Sequence, residues 1–106
     1  MNWRSKYNLK YVAELKAQEP FTGEQITLPG GEVVKIRWVM RGECAFYQEG
    51  ERATLVEAFA GRGVINRRSI TRWDTGEVIS EAEAERIIAA VSESMREGGI
   101  TDIRVV

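Results

Sequence analysis

Ser80 is followed three residues later by Glu83, and from there Ala84, Ile87, Ile88, Val91 and Met95 recur at the spacing of one helical face. Serine and glutamate at that spacing cap a first turn reciprocally. Glu81, Glu83 and Glu85 also suit the positive end of the helix dipole, and the apolar stripe must be buried against a partner. Gly98-Gly99 then supplies a left-handed stop. This amphipathic helix constrains the chain most, because everything before it has a different period and must furnish the surface it covers.

That surface reads as a sheet. "EQITLPGGEVVKIRWVM" holds two β-rich runs around Leu28-Pro29-Gly30-Gly31, with Pro29 at the first central turn position and Gly30 at a left-handed second. Val34, Ile36, Trp38 and Met40 fall on one face of the second run, and Lys35 and Arg37 on the other. After a turn at "MRGE", Glu49-Gly50 bends the chain between a strand carrying Cys44 and Phe46 and one carrying Leu55 and Phe59. "GRG" at 61–63 breaks again, Val64 to Ile70 makes a short strand, and "ITDIRVV" alternates as a last one. In residues 1–20, Tyr7, Leu9 and Tyr11 alternate like a strand, whereas Leu9, Val12 and Leu15 suit a short helix, the reading adopted. The expectation is an α+β fold: an antiparallel meander of about five strands, the C-terminal helix packed over Trp38 and Phe46, and a short final strand.

The 106 residues make one domain, 1–106, and 43% hydrophobic with 29% charged residues is an ordinary globular balance. Net charge is −1, so the whole molecule has no electrostatic preference for nucleic acid or anionic membrane. Charge is uneven, however: residues 35–72 carry eight basic and four acidic side chains, residues 73–106 three and eight. A single cysteine and the lack of an N-terminal apolar segment or long apolar run point to the cytoplasm and to no membrane.

The chain offers little for catalysis. With no histidine and one cysteine, neither an imidazole base nor a thiolate metal site can be built, and Cys44, on a strand near Phe46, reads as a buried structural residue. The carboxylates at the helix start are what a helix start requires, which leaves Glu57 as the isolated one of interest. "GRGVIN" at 61–66 nearly matches a dinucleotide fingerprint, but Asn66 replaces its third glycine and no helix follows, so a turn is the reading. No catalytic, cofactor-binding or metal-binding set is assigned. Trp73 reads as a core or rim anchor and Asp74-Thr75-Gly76 as a turn. Arg62, Arg67, Arg68 and Arg72, near Trp73 and Tyr47, could instead touch phosphates and stack bases of a single strand, the alternative reading; nucleic acid is nonetheless not the expected partner.

Several features occur together: Glu49-Gly50-Glu51-Arg52 at a hairpin, Ser69-Ile70 and Trp73-Asp74 after a short strand, Ile79-Ser80 at the helix start, and a late glycine before the final strand. In these, residues 38–106 resemble a small family of bacterial immunity proteins, the seventy-fourth in the usual numbering of polymorphic-toxin immunity proteins. Where that family often has prolines after the tryptophan, this chain has Thr75-Gly76. The resemblance implies an inhibitor without cofactor that binds a cognate toxin domain in the cytosol. Such a protein needs an interface of roughly 1,200–2,000 Å² with aromatic and arginine anchors. Tyr47, Arg68, Arg72 and Trp73 are the candidates, with Arg67 beside them. Against a basic nuclease site, Glu77, Glu81 and Glu85 would be the blocking surface instead. The residues leave both open.

Overall fold

The computed structural model describes residues 6–106, with α1 (Lys6–Lys16), strands β1 (Glu24–Thr27), β2 (Val33–Val39), β3 (Cys44–Glu49), β4 (Arg52–Phe59) and β5 (Val64–Ile65), then α2 (Glu81–Glu97) and β6 (Arg104–Val105). The strands form one curled sheet in the order β1 to β6, antiparallel except where β6 runs parallel to β5. The helix expected within residues 1–20 is present as α1; residues 1–5 lie outside the described residues.

Local chemistry accounts for the turns. Between β1 and β2 the Gly31 N–H donates to the Leu28 carbonyl (2.9 Å) and the Leu28 N–H to the Glu32 carbonyl (2.8 Å). The left-handed residue is Gly31 (φ 93°) rather than Gly30. The chain takes a type I turn over Pro29-Gly30 and adds a one-residue left-handed bulge, which restores the twist that a bare type I turn would lose. The β2–β3 turn departs further from expectation. Met40 leaves the face it was expected to share with Trp38 and, with Arg41 and Gly42, forms three consecutive left-handed residues (φ 52°, 59° and 81°). Gly63 is required by close approach: a Cβ there would lie 2.4 Å from the Asp102 carbonyl oxygen, blocking the chain that leads into β6.

Both faces of the central strands are buried, and this corrects the expected single-faced sheet. On one face Ile26, Val34, Ile36, Ala45, Tyr47, Val56 and Ala58 pack with Ala84, Ile87, Ile88, Val91 and Met95 of α2. On the other, Val39, Cys44, Phe46, Ala53 and Leu55 pack with Val12 and Leu15 of α1. Phe46 therefore lies under α1, not α2, because residues 44–47 are buried in succession and alternate between two covers. Among the described residues no helix is long and apolar enough to cross a membrane.

The strand expected over Val64 to Ile70 stops at Ile65. From Asn66 to Asp74 the chain continues along β4, but side chains take over from the ladder. Asn66 N–H donates to the Glu57 carbonyl (2.9 Å), Ser69 Oγ accepts from Glu57 N–H (2.9 Å), Thr54 Oγ1 donates to the Arg72 carbonyl (3.1 Å), and Asp74 Oδ1 accepts from Ala53 N–H (3.0 Å). Arg67–Ser69 can then coil into a 3-10 turn capped by the Asn66 side chain without orphaning β4's polar groups.

Candidate partner-binding site

The segment from Asn66 to α2 is held at both ends. Asp74 also pairs with Lys16 of α1 (2.9 Å), which ties the segment to the far helix. Trp73 to Glu77 repeats the Leu28 turn: Gly76 N–H donates to the Trp73 carbonyl (2.9 Å), Trp73 N–H to the Glu77 carbonyl (2.9 Å), and Gly76 is left-handed. At α2 the Ser80 hydroxyl accepts from Glu83 N–H (3.1 Å) while the Glu83 carboxylate accepts from Ser80 N–H (2.9 Å), the reciprocal cap expected from the sequence. At the other end Ile100 N–H reaches the Met95 carbonyl (3.0 Å) and Gly99 N–H the Arg96 carbonyl (2.9 Å), with Gly99 left-handed.

Tyr47 and Trp73, expected as aromatic anchors, are both fully buried. Their rings pack together at 6.1 Å inside the core beneath α2, so neither offers area to a partner. Trp73 is the largest of the fully buried side chains, and Tyr47 donates its hydroxyl to Glu49 (2.8 Å). Burial, with the Glu49 carboxylate accepting that proton, pushes the Tyr47 phenol far above its ordinary range.

Around these rings lies an ionic network that sequence reasoning missed. Arg86 of α2 pairs with Glu49 of β3 (2.6 Å), Arg52 of β4 pairs with Glu83 (2.7 Å), and the Arg52 guanidinium lies 4.3 Å from the Trp73 ring centroid. It pins α2's first turns to the β3–β4 hairpin. The Glu83 carboxyl is held down at about 2, from an ordinary value near 4.5, chiefly by the Ser80 backbone N–H and then by Arg52 and Trp73. In the sequence Glu49-Gly50-Glu51-Arg52 marks a hairpin bend, and the opposite charges flanking Gly50 are the available signal for these ion pairs.

The other expected residues form the outer surface. Arg68, Arg72, Glu77, Glu81 and Glu85 are exposed, whereas Arg67 is partly covered and pairs with Glu85 (2.6 Å). Arg72 also donates to the Gly76 carbonyl (2.9 Å), and a bridge between Arg72 and Val78 closes the loop. Val78 is 64% exposed on this loop, an apolar residue between charges of both signs with Trp73 and Ile79 buried on either side of it in the chain.

Cys44 is buried with its thiol pushed up to about 12, by burial first and by the nearby Glu57 carboxylate second. Glu57 accepts from the Asn66 amide (3.0 Å), a partner that gives it a place in holding the 66–69 turn. Among the described residues no group of three or more acidic, cysteine or histidine side chains is placed to hold a metal ion. No family model, curated protein or solved structure matches the chain.

Proposed function

We propose that the chain is an immunity protein that binds and neutralises a cognate bacterial toxin domain in the cytoplasm, using the surface formed by Arg68, Arg72, Glu77, Val78, Glu81 and the Arg67–Glu85 pair. The observation that carries this reading is the exposure of Val78 on a loop braced by the Arg72–Val78 bridge, the Trp73–Glu77 turn and the α2 cap. A rigid apolar point among charges of both signs suits a protein surface of mixed charge, and it binds without a large ordering cost. The resemblance of residues 38–106 to immunity proteins supports the same reading. A single-stranded nucleic-acid role has less support, because Tyr47 and Trp73, the rings that would stack bases, are buried and Arg67 is engaged by Glu85.

The test is the double variant R68E/R72E, with V78D beside it. Exposed residues of this kind contribute within about 0.5 kcal/mol to stability, so the melting curves should stay close to wild type. Rescue of cells expressing the toxin encoded beside the gene should fall, with affinity weakened at least about tenfold, or 1.4 kcal/mol. Full rescue by both folded variants would place the contact elsewhere.

A further inference from the structure

At the opposite end of α2 a cleft of about 530 Å³ opens between the helix C-terminus, β1, β2 and the turn after β4. Its apolar walls include Trp38, Ala60, Met95 and Ile100, and its polar rim is Glu24 and Glu97. The indole is fixed in place: Trp38 Nε1–H donates to Ser94 Oγ (2.9 Å), which in turn donates to Glu24 Oε1 (2.6 Å). Three sources of negative potential meet here. Glu24 is one and Glu97 the second; the third is the C-terminal end of the α2 dipole, whose only basic residue in the last turn, Arg96, is directed to Glu93 (3.4 Å). Among the described residues no basic side chain lines the cleft. Glu97 is shifted upward from its ordinary range, first by a side-chain hydrogen bond with Glu24 and then by the charge of that group.

We propose that this cleft receives an arginine side chain presented by a partner protein, its guanidinium taken by Glu24 and Glu97 and its stem lying along Trp38, Met95 and Ile100. A bare divalent cation fits poorly, since it needs six or more oxygen ligands and the walls are largely apolar. A lysine ammonium would satisfy the charge but is compact and strongly hydrated, whereas a planar, more weakly hydrated guanidinium presents a fork of donors that can bridge two carboxylates. Charge complementarity selects the occupant. The site lies apart from the Arg67–Glu85 surface, and the assignment does not rest on the partner's being a toxin.

The test follows the Trp38 indole N–H resonance of the whole chain in two-dimensional NMR. Acetyl-Ala-Arg-Ala-amide is titrated in, beside the same peptide with citrulline, which keeps the shape and removes the charge. The arginine peptide should produce a saturable shift of Trp38 and Gly98, and citrulline should bind at least about tenfold more weakly. E97Q, at an exposed helix end, should weaken the arginine peptide at least about fivefold while the buried Trp73 indole resonance stays in place as the fold control. E24Q is the second variant, reporting the carboxylate that Ser94 holds. Equal binding of citrulline, an unchanged affinity in both variants, or no saturable shift at millimolar peptide would each overturn the proposal.

Discussion

Trp73→Ala separates the core role of this residue from the interface role that its sequence surroundings suggested. The side chain is fully buried, its ring packs against Tyr47 at 6.1 Å, and the Arg52 guanidinium lies 4.3 Å from its centroid. Truncating a buried tryptophan to alanine costs about 3–5 kcal/mol through lost transfer energy and the cavity left behind. The ring pair and the cation–π contact lie within that range, at about 0.5–1.5 and 0.5–2 kcal/mol. For a domain of this size each kcal/mol lowers the melting temperature by about 4–8 °C, so a fall of at least about 12 °C is expected, with a matching drop in urea midpoint. Trp73→Phe should lose less, about 1–2 kcal/mol, because it keeps most of the buried area. Calorimetry and urea titration followed by circular dichroism measure both. A Trp73→Ala protein with an unshifted midpoint would refute the placement of this ring in the core and return it to the surface.

Ile88→Ala, in the middle of the α2 stripe, should cost about 2–4 kcal/mol in urea denaturation, and an unchanged midpoint would mean that this face is not packed on the sheet. Glu83 has a folded value near 2 against an ordinary 4.5, so its contribution is fully present above about pH 4.5 and is lost as pH falls toward 2. Glu83→Gln keeps an acceptor for the Ser80 N–H but loses the charge facing Arg52, so it should lower stability at neutral pH and flatten the acid limb of the stability curve between those values; an unaltered limb would count against the charged role of Glu83. The Cys44 thiol, buried and pushed up to about 12, should resist a thiol reagent at mildly alkaline pH in the folded protein and react readily in guanidinium. Rapid labelling of the native protein would contradict its burial.

The parts of this fold that sequence made legible are those governed by neighbours along the chain. The Ser80–Glu83 cap and the Gly98-Gly99 stop need only a few consecutive residues, and both occur where expected. The Val12 and Leu15 spacing likewise located α1. What failed was inference across strands. Alternation is clear in β2, where Lys35 and Arg37 stand opposite Val34 and Ile36, and carrying that one-sided pattern into β3 placed Phe46 under the wrong helix and left Tyr47 outside. The run Cys44-Ala45-Phe46-Tyr47 is apolar without a break, which is the mark of a strand covered on both faces. The Glu49–Arg86 pair spans 37 positions, a separation at which no local pattern exists to be read. The stretch after Ile65 misled for another reason: Ser69, Thr54 and Asp74 side chains do the work of a main-chain ladder, so the chain follows β4 without being a strand.

The residues that carry the resemblance to immunity proteins mostly have structural partners. Glu49 and Arg52 hold α2 to the hairpin, Ser69 bonds to Glu57, Asp74 bonds to Ala53 and Lys16, and Ser80 caps α2. They describe how the scaffold is braced, so a partner of the kind proposed above would have to be recognised by what the bracing leaves outside. Two such places lie at opposite ends of one helix. At the N-terminal end the positive pole of α2 is already answered by Glu81 and Glu83, and the loop carrying Arg68, Arg72 and Val78 stands beyond it. At the C-terminal end the negative pole is deepened by Glu24 and Glu97, while the one basic residue of the last turn is turned toward Glu93. A dipole answered by carboxylates at its positive end and flanked by further carboxylates at its negative end makes the second end the stronger attractor for a cation. A net charge of −1 conceals that asymmetry, because Arg52 and Arg67 from the basic middle of the chain pair with Glu83 and Glu85 in the first turns of α2, while among the described residues no basic side chain lines the cleft at its other end.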